Sequence, residues 1–164
     1  MQTRVGYAGG RELNPTYRNI GGHAEAFRVI YDPDVVSFEE LMGPFSLSGR
    51  PLGGYGQYRT ALFPQDVEQL EVIERLMGRK SPSVRDGVVR WDRPDARFWD
   101  AEDYHQKYRL RRKKAFVSQL EQELGPRWDQ YPLATKLNAS VRGDVDPEPW
   151  LAQLPSASRA AWAA

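Results

Sequence analysis

The spacing of apolar residues changes several times along this chain, and each change marks an element. Residues 4–8 (Arg4-Val5-Gly6-Tyr7-Ala8) are short and β-prone, and the pattern breaks at Gly9-Gly10. Residues 24–31 alternate, with Glu25, Phe27, Val29 and Tyr31 on one face and Ala24, Ala26, Arg28 and Ile30 on the other. Both faces are largely apolar, which predicts an interior strand, ended by Asp32-Pro33. Ser37-x-x-Glu40 has the form of a capping box, predicting a short helix to about Phe45 that Gly43-Pro44 breaks. Residues 46–56, rich in Ser, Gly and Pro, read as loop, and Tyr58 to Phe63 as the next strand. Beyond Pro64, the residues Val67, Leu70, Ile73, Leu76 and Met77 keep helical spacing to near Gly78. Val88 to Trp91 reads as a short strand, and Asp100 to about Leu124 as one long polar helix closed by Gly125-Pro126. Strands alternating with helices, followed by a helical C-terminal region, predict an α+β domain.

Composition narrows the picture without naming a function. A chain of 164 residues has room for a modest core, and 23 Lys plus Arg against 22 Asp plus Glu leave no global field for nucleic acid or membrane. No apolar run reaches the ~20 residues that span a bilayer, and the N-terminus lacks the pattern of a secretory signal. On that ground the expected location is the cytoplasm. The chain has no cysteine, so it forms no disulfide and no thiolate-ligated metal site. His23 and His105 are its only histidines, too few for a His-rich metal centre, and no metal or other cofactor is expected.

Three residues invite a chemical reading. Glu25 sits in the middle of a largely apolar strand face; burial there would favour its protonated form and make it a proton donor. The bland reading is a glutamate that faces solvent or pairs with Arg28 or Arg59. Tyr17 and Tyr58 follow loop features, and each phenol can donate one hydrogen bond to a polarised oxygen. With eight tyrosines in the chain, packing is the competing role for each. The basic run from Arg109 to Lys114 is flanked by Glu102, Asp103, Glu121 and Glu123, so a charge-mixed solvated face is expected rather than a nucleic-acid site. Gly9-Gly10 and Gly53-Gly54 are turn glycines without the Lys-Ser/Thr of a phosphate loop.

Several motifs, in order, resemble the methionine sulfoxide reductase A family, the peptide-methionine (S)-S-oxide reductases. They are Val5-Gly6-Tyr7-Ala8-Gly9-Gly10, Asn14-Pro15-Thr16-Tyr17, Gly22-His23-Ala24-Glu25-Ala26, Tyr31-Asp32-Pro33 with Ser37-Phe38-Glu39-Glu40-Leu41, Gly56-Gln57-Tyr58-Arg59-Thr60, and Phe98-Trp99-Asp100-Ala101-Glu102-Asp103-Tyr104-His105-Gln106. The resemblance covers about residues 3–106. It implies a ferredoxin-like plait over residues 1–106, lacking the family's first strand and helix. Residues 107–164 are expected to form a helical C-terminal extension packed on it, with a Pro-, Ala- and Ser-rich tail of disorder-prone composition. It also implies that Glu25 protonates a sulfoxide oxygen while Tyr17 and Tyr58 hold it. The substrates would be methionine sulfoxide residues in oxidised proteins or peptides, with thioredoxin as reductant.

The same resemblance exposes a contradiction. The family's nucleophile is a cysteine in a Gly-Cys-Phe-Trp motif some twenty residues upstream of the Gly-Tyr-Ala-Gly-Gly segment, where only six residues precede Tyr7 here. Gly53 stands where many members carry Asp, and Phe45 to Pro51 replaces an aromatic and His-Asp-Pro stretch. A plait without its central first strand would be marginally stable unless the tail compensates. The expectation is therefore that the natural protein starts further upstream and includes the cysteine. As written, the chain is expected to be inactive in isolation. The alternatives are a non-catalytic module that binds oxidised methionine, and a nucleic-acid-interacting scaffold.

Overall fold

The computed structural model describes residues 1–47, 56–78, 89–90 and 97–163. Among these are five strands and six α-helices: β1 Gln2–Ala8, β2 Ala24–Ile30, α1 Phe38–Leu47, β3 Ala61–Leu62, α2 Val67–Gly78, β4 Val89–Arg90, β5 Phe98–Asp100, α3 Lys114–Leu124, α4 Pro132–Ser140, α5 Glu148–Leu151 and α6 Ser156–Ala163. The class is mixed α and β. The chain divides into two compact units, Val5–Ala101 and a second made of Met1–Arg4 with Glu102–Ala164.

In the first unit, β2, β1 and β5 form a sheet in that order. β1 and β5 are antiparallel, with Gly6 opposite Asp100, Tyr7 opposite Trp99 and Ala8 opposite Phe98. Gly6 is required by space: a Cβ there would lie 2.1 Å from the Trp99 carbonyl oxygen and 2.5 Å from the Phe98 ring. Arg28 of β2 reaches β5 across the middle strand. Its guanidinium stands 4.6 Å from the Phe98 ring centre and 3.7 Å from an Asp100 carboxylate oxygen. Gly9 then turns the chain with φ 81°.

β2 departs from the expected interior strand. It lies at the end of the three-strand order among the described residues, with Glu25, Phe27, Arg28 and Ile30 exposed. Apolar residues on both faces imitate a doubly covered strand, but here Phe27 is 71% exposed.

The capping box forms in full. The Glu40 N–H donates to the Ser37 hydroxyl at 3.2 Å, and the Ser37 N–H donates to the Glu40 carboxylate at 2.8 Å. α1 nevertheless runs through Gly43-Pro44 to Leu47, where a break was expected. Proline removes one N–H and disturbs the preceding turn, a cost this last stretch of helix accommodates. α1 packs on α2 through Met42, Ile73 and Met77, the apolar face that the sequence spacing indicates. The strand expected from Tyr58 to Phe63 shrinks to Ala61–Leu62, because Gly56–Tyr58 closes into a 3-10 turn. β3 pairs in parallel with β4, Ala61 beside Val89 and Leu62 beside Arg90; Val88 and Trp91 lie outside the described residues.

The second unit is helical. The long helix expected from Asp100 is instead two 3-10 turns, Asp103–His105 and Leu110–Arg112, followed by α3. Lys107 interrupts the run with φ 50°, a left-handed conformation that no continuous helix contains. Its side chain is buried, and its ammonium donates to the Thr3 carbonyl. Helical propensity therefore yields to a tertiary contact. Gly125, with φ 79°, ends α3 as expected.

Phe116 and Leu120 of α3 pack with Leu110, Trp128, Leu137 and Leu151 in the core of this unit. Burying each such side chain contributes about 1.5–3 kcal/mol. The tail, disorder-prone in composition, folds into α5 and α6: Leu151 and Leu154 join the core, and the buried Ser158 hydroxyl donates to Glu123. Arg4 and Asp129 form a buried ion pair, and the Thr3 N–H donates to the Thr135 hydroxyl at 3.2 Å.

Candidate active site

The candidate residues stand on three segments of the first unit. Tyr17 is on the loop between β1 and β2, Glu25 is the second residue of β2, and Tyr58 ends the Gly56–Tyr58 turn. The loop is shaped by His23, which is 2% exposed. The Gly10 N–H donates to His23 Nδ1 at 3.0 Å, and His23 Nε2 lies 2.9 Å from the Glu12 carbonyl oxygen. A backbone N–H can only donate, so Nδ1 is the bare acceptor and Nε2 carries the proton given to Glu12. This one imidazole ties both ends of the loop together. Within the loop, Thr16 and Asn19 exchange backbone hydrogen bonds at 3.1 and 3.0 Å, which sets the turn that carries Tyr17. Tyr17 is 43% exposed.

The Tyr58 turn is fastened directly to the start of β2. The Gln57 side-chain amide donates to Glu25 Oε1 at 3.1 Å. Arg59 donates from Nη1 to the Gly56 carbonyl at 2.8 Å and from Nη2 to the Gly22 carbonyl at 2.9 Å. Glu25 and Tyr58 are thereby brought to one corner, while Tyr17 is linked to it through the loop backbone that His23 secures. Glu25 is exposed, so the burial expected to make it a proton donor is not present. Nor does it pair with either arginine named from the sequence: Arg28 goes to Asp100 and Arg59 to the two carbonyls. Glu25 is the second residue of β2, which ends the strand order among the described residues, and its exposed carboxylate meets the Gln57 amide instead of an apolar wall. Tyr58, 66% exposed, points its chemistry to the surface as well.

Sequence reasoning passed over Gln57 and Arg59 as contributors in their own right, although both flank Tyr58 in the Gln-Tyr-Arg motif. It weighed His23 only as a metal ligand, and its Gly-Gly-His context was the signal for a loop anchor. Among the described residues no group of three or more His, Cys, Asp or Glu side chains could hold a metal ion. The Asp position replaced by Gly53 lies outside the described residues. The basic run is partly spoken for: Arg111 donates to the Gln106 carbonyl at 2.8 Å and stands over the Trp128 ring, and Lys113 donates to the Trp162 carbonyl at 2.7 Å. No helix among the described residues is long and apolar enough to cross a membrane.

The chain is thus a mixed α and β protein with an open corner where the Glu25 carboxylate meets the Gln57 carboxamide beside the Tyr58 turn. The family model for peptide methionine sulfoxide reductase matches residues 1–131, and the chain belongs to that family. It is 32% identical over 146 residues to peptide methionine sulfoxide reductase A5 of Arabidopsis thaliana, covering 84% of this chain and 58% of that protein. Peptide methionine sulfoxide reductase of Drosophila melanogaster is 36% identical over 155 residues, covering 87% of this chain and 59% of the relative. Peptide methionine sulfoxide reductase MsrA 1 of Rhodopirellula baltica is 36% identical over 121 residues, with 67% and 63% covered. The chain therefore spans about three-fifths of the length of these curated relatives.

Proposed function

We propose that this chain is the oxygen-binding portion of a peptide-methionine (S)-S-oxide reductase, an oxidoreductase that returns methionine sulfoxide in proteins to methionine. The observation that carries the reading is the corner where Gln57 holds the Glu25 carboxylate beside the Tyr58 turn. Tyr58 and Tyr17 donate hydrogen bonds to the sulfoxide oxygen and draw negative charge onto it. Glu25, exposed in the free chain and covered once the substrate side chain is bound, gives that oxygen a proton as the S–O bond breaks. An exposed site suits a substrate side chain presented on a protein surface.

The reaction needs two electrons. A cysteine thiolate attacks the sulfoxide sulfur, methionine leaves as the thioether, and the cysteine takes the oxygen as sulfenic acid. A dithiol then reduces the sulfenic acid with loss of water; thioredoxin is the proposed reductant. This chain contains no cysteine, so by itself it binds and polarises the sulfoxide without turnover. That same absence favours a second reading, a non-catalytic module that recognises oxidised methionine. For the fold we propose a ferredoxin-like plait without the family's first strand and helix, residues 1–106 forming the reductase-type domain and 107–164 a helical extension.

Calorimetric titration tests the reading, using one peptide in its (S)-methionine sulfoxide and methionine forms. The sulfoxide form binds and the methionine form does not, and Tyr58→Phe weakens binding about fivefold, the worth of one hydrogen bond. With dithiothreitol the purified chain releases no methionine. Equal affinity for the two peptides would overturn the proposed role of the corner; turnover would overturn the requirement for a cysteine.

A further inference from the structure

Arg59 makes two contacts that no other side chain described at this corner makes. Its guanidinium spans two backbone carbonyls distant in sequence, those of Gly56 and Gly22. Both carbonyls belong to glycines in the left-handed region, Gly56 with φ 60° and Gly22 with φ 77°. A Cβ at either glycine would meet nothing within 4 Å, so glycine serves there for backbone direction and not for space. The Arg59 N–H also closes onto the Gly56 carbonyl at 3.4 Å. One planar fork therefore joins the turn that carries Gln57 and Tyr58 to the backbone that enters β2 ahead of Glu25. Surface arginines usually pair with carboxylates; this one is spent on backbone position.

We propose that Arg59 is a positioning residue for the oxygen-binding corner: it sets the separation of Tyr58 and Glu25 by clamping the Gly56 and Gly22 carbonyls. This rests on the reading of the corner as a sulfoxide site. Arg59 touches no reacting atom and acts through Gln57, Tyr58 and Glu25. The fork geometry is the essential part. A lysine in its place carries the same charge on a single nitrogen and holds one carbonyl well, not both.

The test has two independent readouts on the full chain. The first is the side-chain amide signal of Gln57 in a nitrogen-15 NMR spectrum, which reports its hydrogen bond to Glu25 without any ligand. Arg59→Ala moves that signal to the position it takes in Glu25→Ala, and Arg59→Lys moves it part of the way. Signals from Ile73 and Met77 stay in place, which certifies the fold. The second is the ratio of affinities for the sulfoxide and thioether forms of one peptide. Arg59→Ala lowers this ratio about tenfold, on the order of one hydrogen bond, whereas a general loosening of the fold would weaken both peptides alike.

An unchanged Gln57 signal in Arg59→Ala, with Ile73 and Met77 undisturbed, overturns the proposal. If Arg59→Ala fails to fold, Arg59→Lys decides it by the same signal. If the unaltered chain binds no sulfoxide, the functional reading fails while the Gln57 signal still decides whether Arg59 positions the corner.

Discussion

The amide of Gln57 donates to the carboxylate of Glu25 at 3.1 Å, joining a turn to a strand that lies 32 residues away in sequence. The two side chains are close because Arg59 fixes the turn to Gly22 and because His23 fixes the loop that leads into β2. Polar contacts, one between side chains and the others to backbone, join the parts of the corner. Its integrity is governed by a few hydrogen bonds.

Replacing His23 tests that dependence. His23→Ala takes the imidazole away from the Gly10 N–H and the Glu12 carbonyl in a part-buried site, a loss of about 1 kcal/mol for each hydrogen bond. Urea unfolding of the variant should show that loss, and amide exchange should quicken at Gly10 and around Tyr17. Unchanged exchange in the loop would mean that it is held by something else.

Lys107 provides a pH signature. Burial, with the neighbouring Arg4 charge adding to it, pushes its pKa down from 10.5 to about 8, and the Asp129 carboxylate opposes that shift. Between about pH 8 and 10.5 the unfolded chain therefore binds more protons than the folded one, and stability rises with pH across that window. Below it both forms are protonated, and the desolvation cost of the ammonium is present in full. Lys107→Met removes this dependence: the difference in unfolding free energy between wild type and variant should change in wild type's favour as pH rises from 8 to 10.5. A flat difference would contradict the assignment.

The buried Arg4–Asp129 pair lies in the same cluster. Asp129→Ala takes the buried carboxylate away from Arg4 and should destabilise by about 3–5 kcal/mol, while the double replacement Arg4→Met with Asp129→Leu should recover most of it. Thermal unfolding of the single replacements Arg4→Met and Asp129→Leu beside the double one measures the coupling. Additive losses in the double variant would show that the pair is not a unit.

Local signals were the legible part of this fold. The capping box at Ser37 and Glu40, the apolar spacing of α2 and the Gly125 stop of α3 depend on neighbours in sequence, and they appear as the pattern indicates. Where the reading failed, long-range contacts decide. Lys107 adopts a left-handed backbone beside Thr3, a partner 104 residues away, and so divides a stretch that reads as one helix. β2 has apolar residues on both faces, and burial depends on neighbours that its own sequence does not reveal. The tail resembles a disordered segment in composition, yet Leu151, Leu154 and Ser158 find the core.

The site was legible in its residue types and less so in its setting. Motif context picked out Glu25, Tyr17 and Tyr58. The exposure of Glu25 and the partners of Gln57, Arg59 and His23 required the folded chain, because the groups they bond to lie up to 37 residues away in sequence.

The most direct test is to map which residues respond when a short (S)-methionine sulfoxide peptide is added to the isotope-labelled 164-residue chain. Shifts concentrated at Tyr17, Glu25, Gln57 and Tyr58, absent with the methionine form of the same peptide, are the predicted result. A response that avoids this corner, or one that is the same for both peptides, would contradict the assignment of the oxygen-binding site.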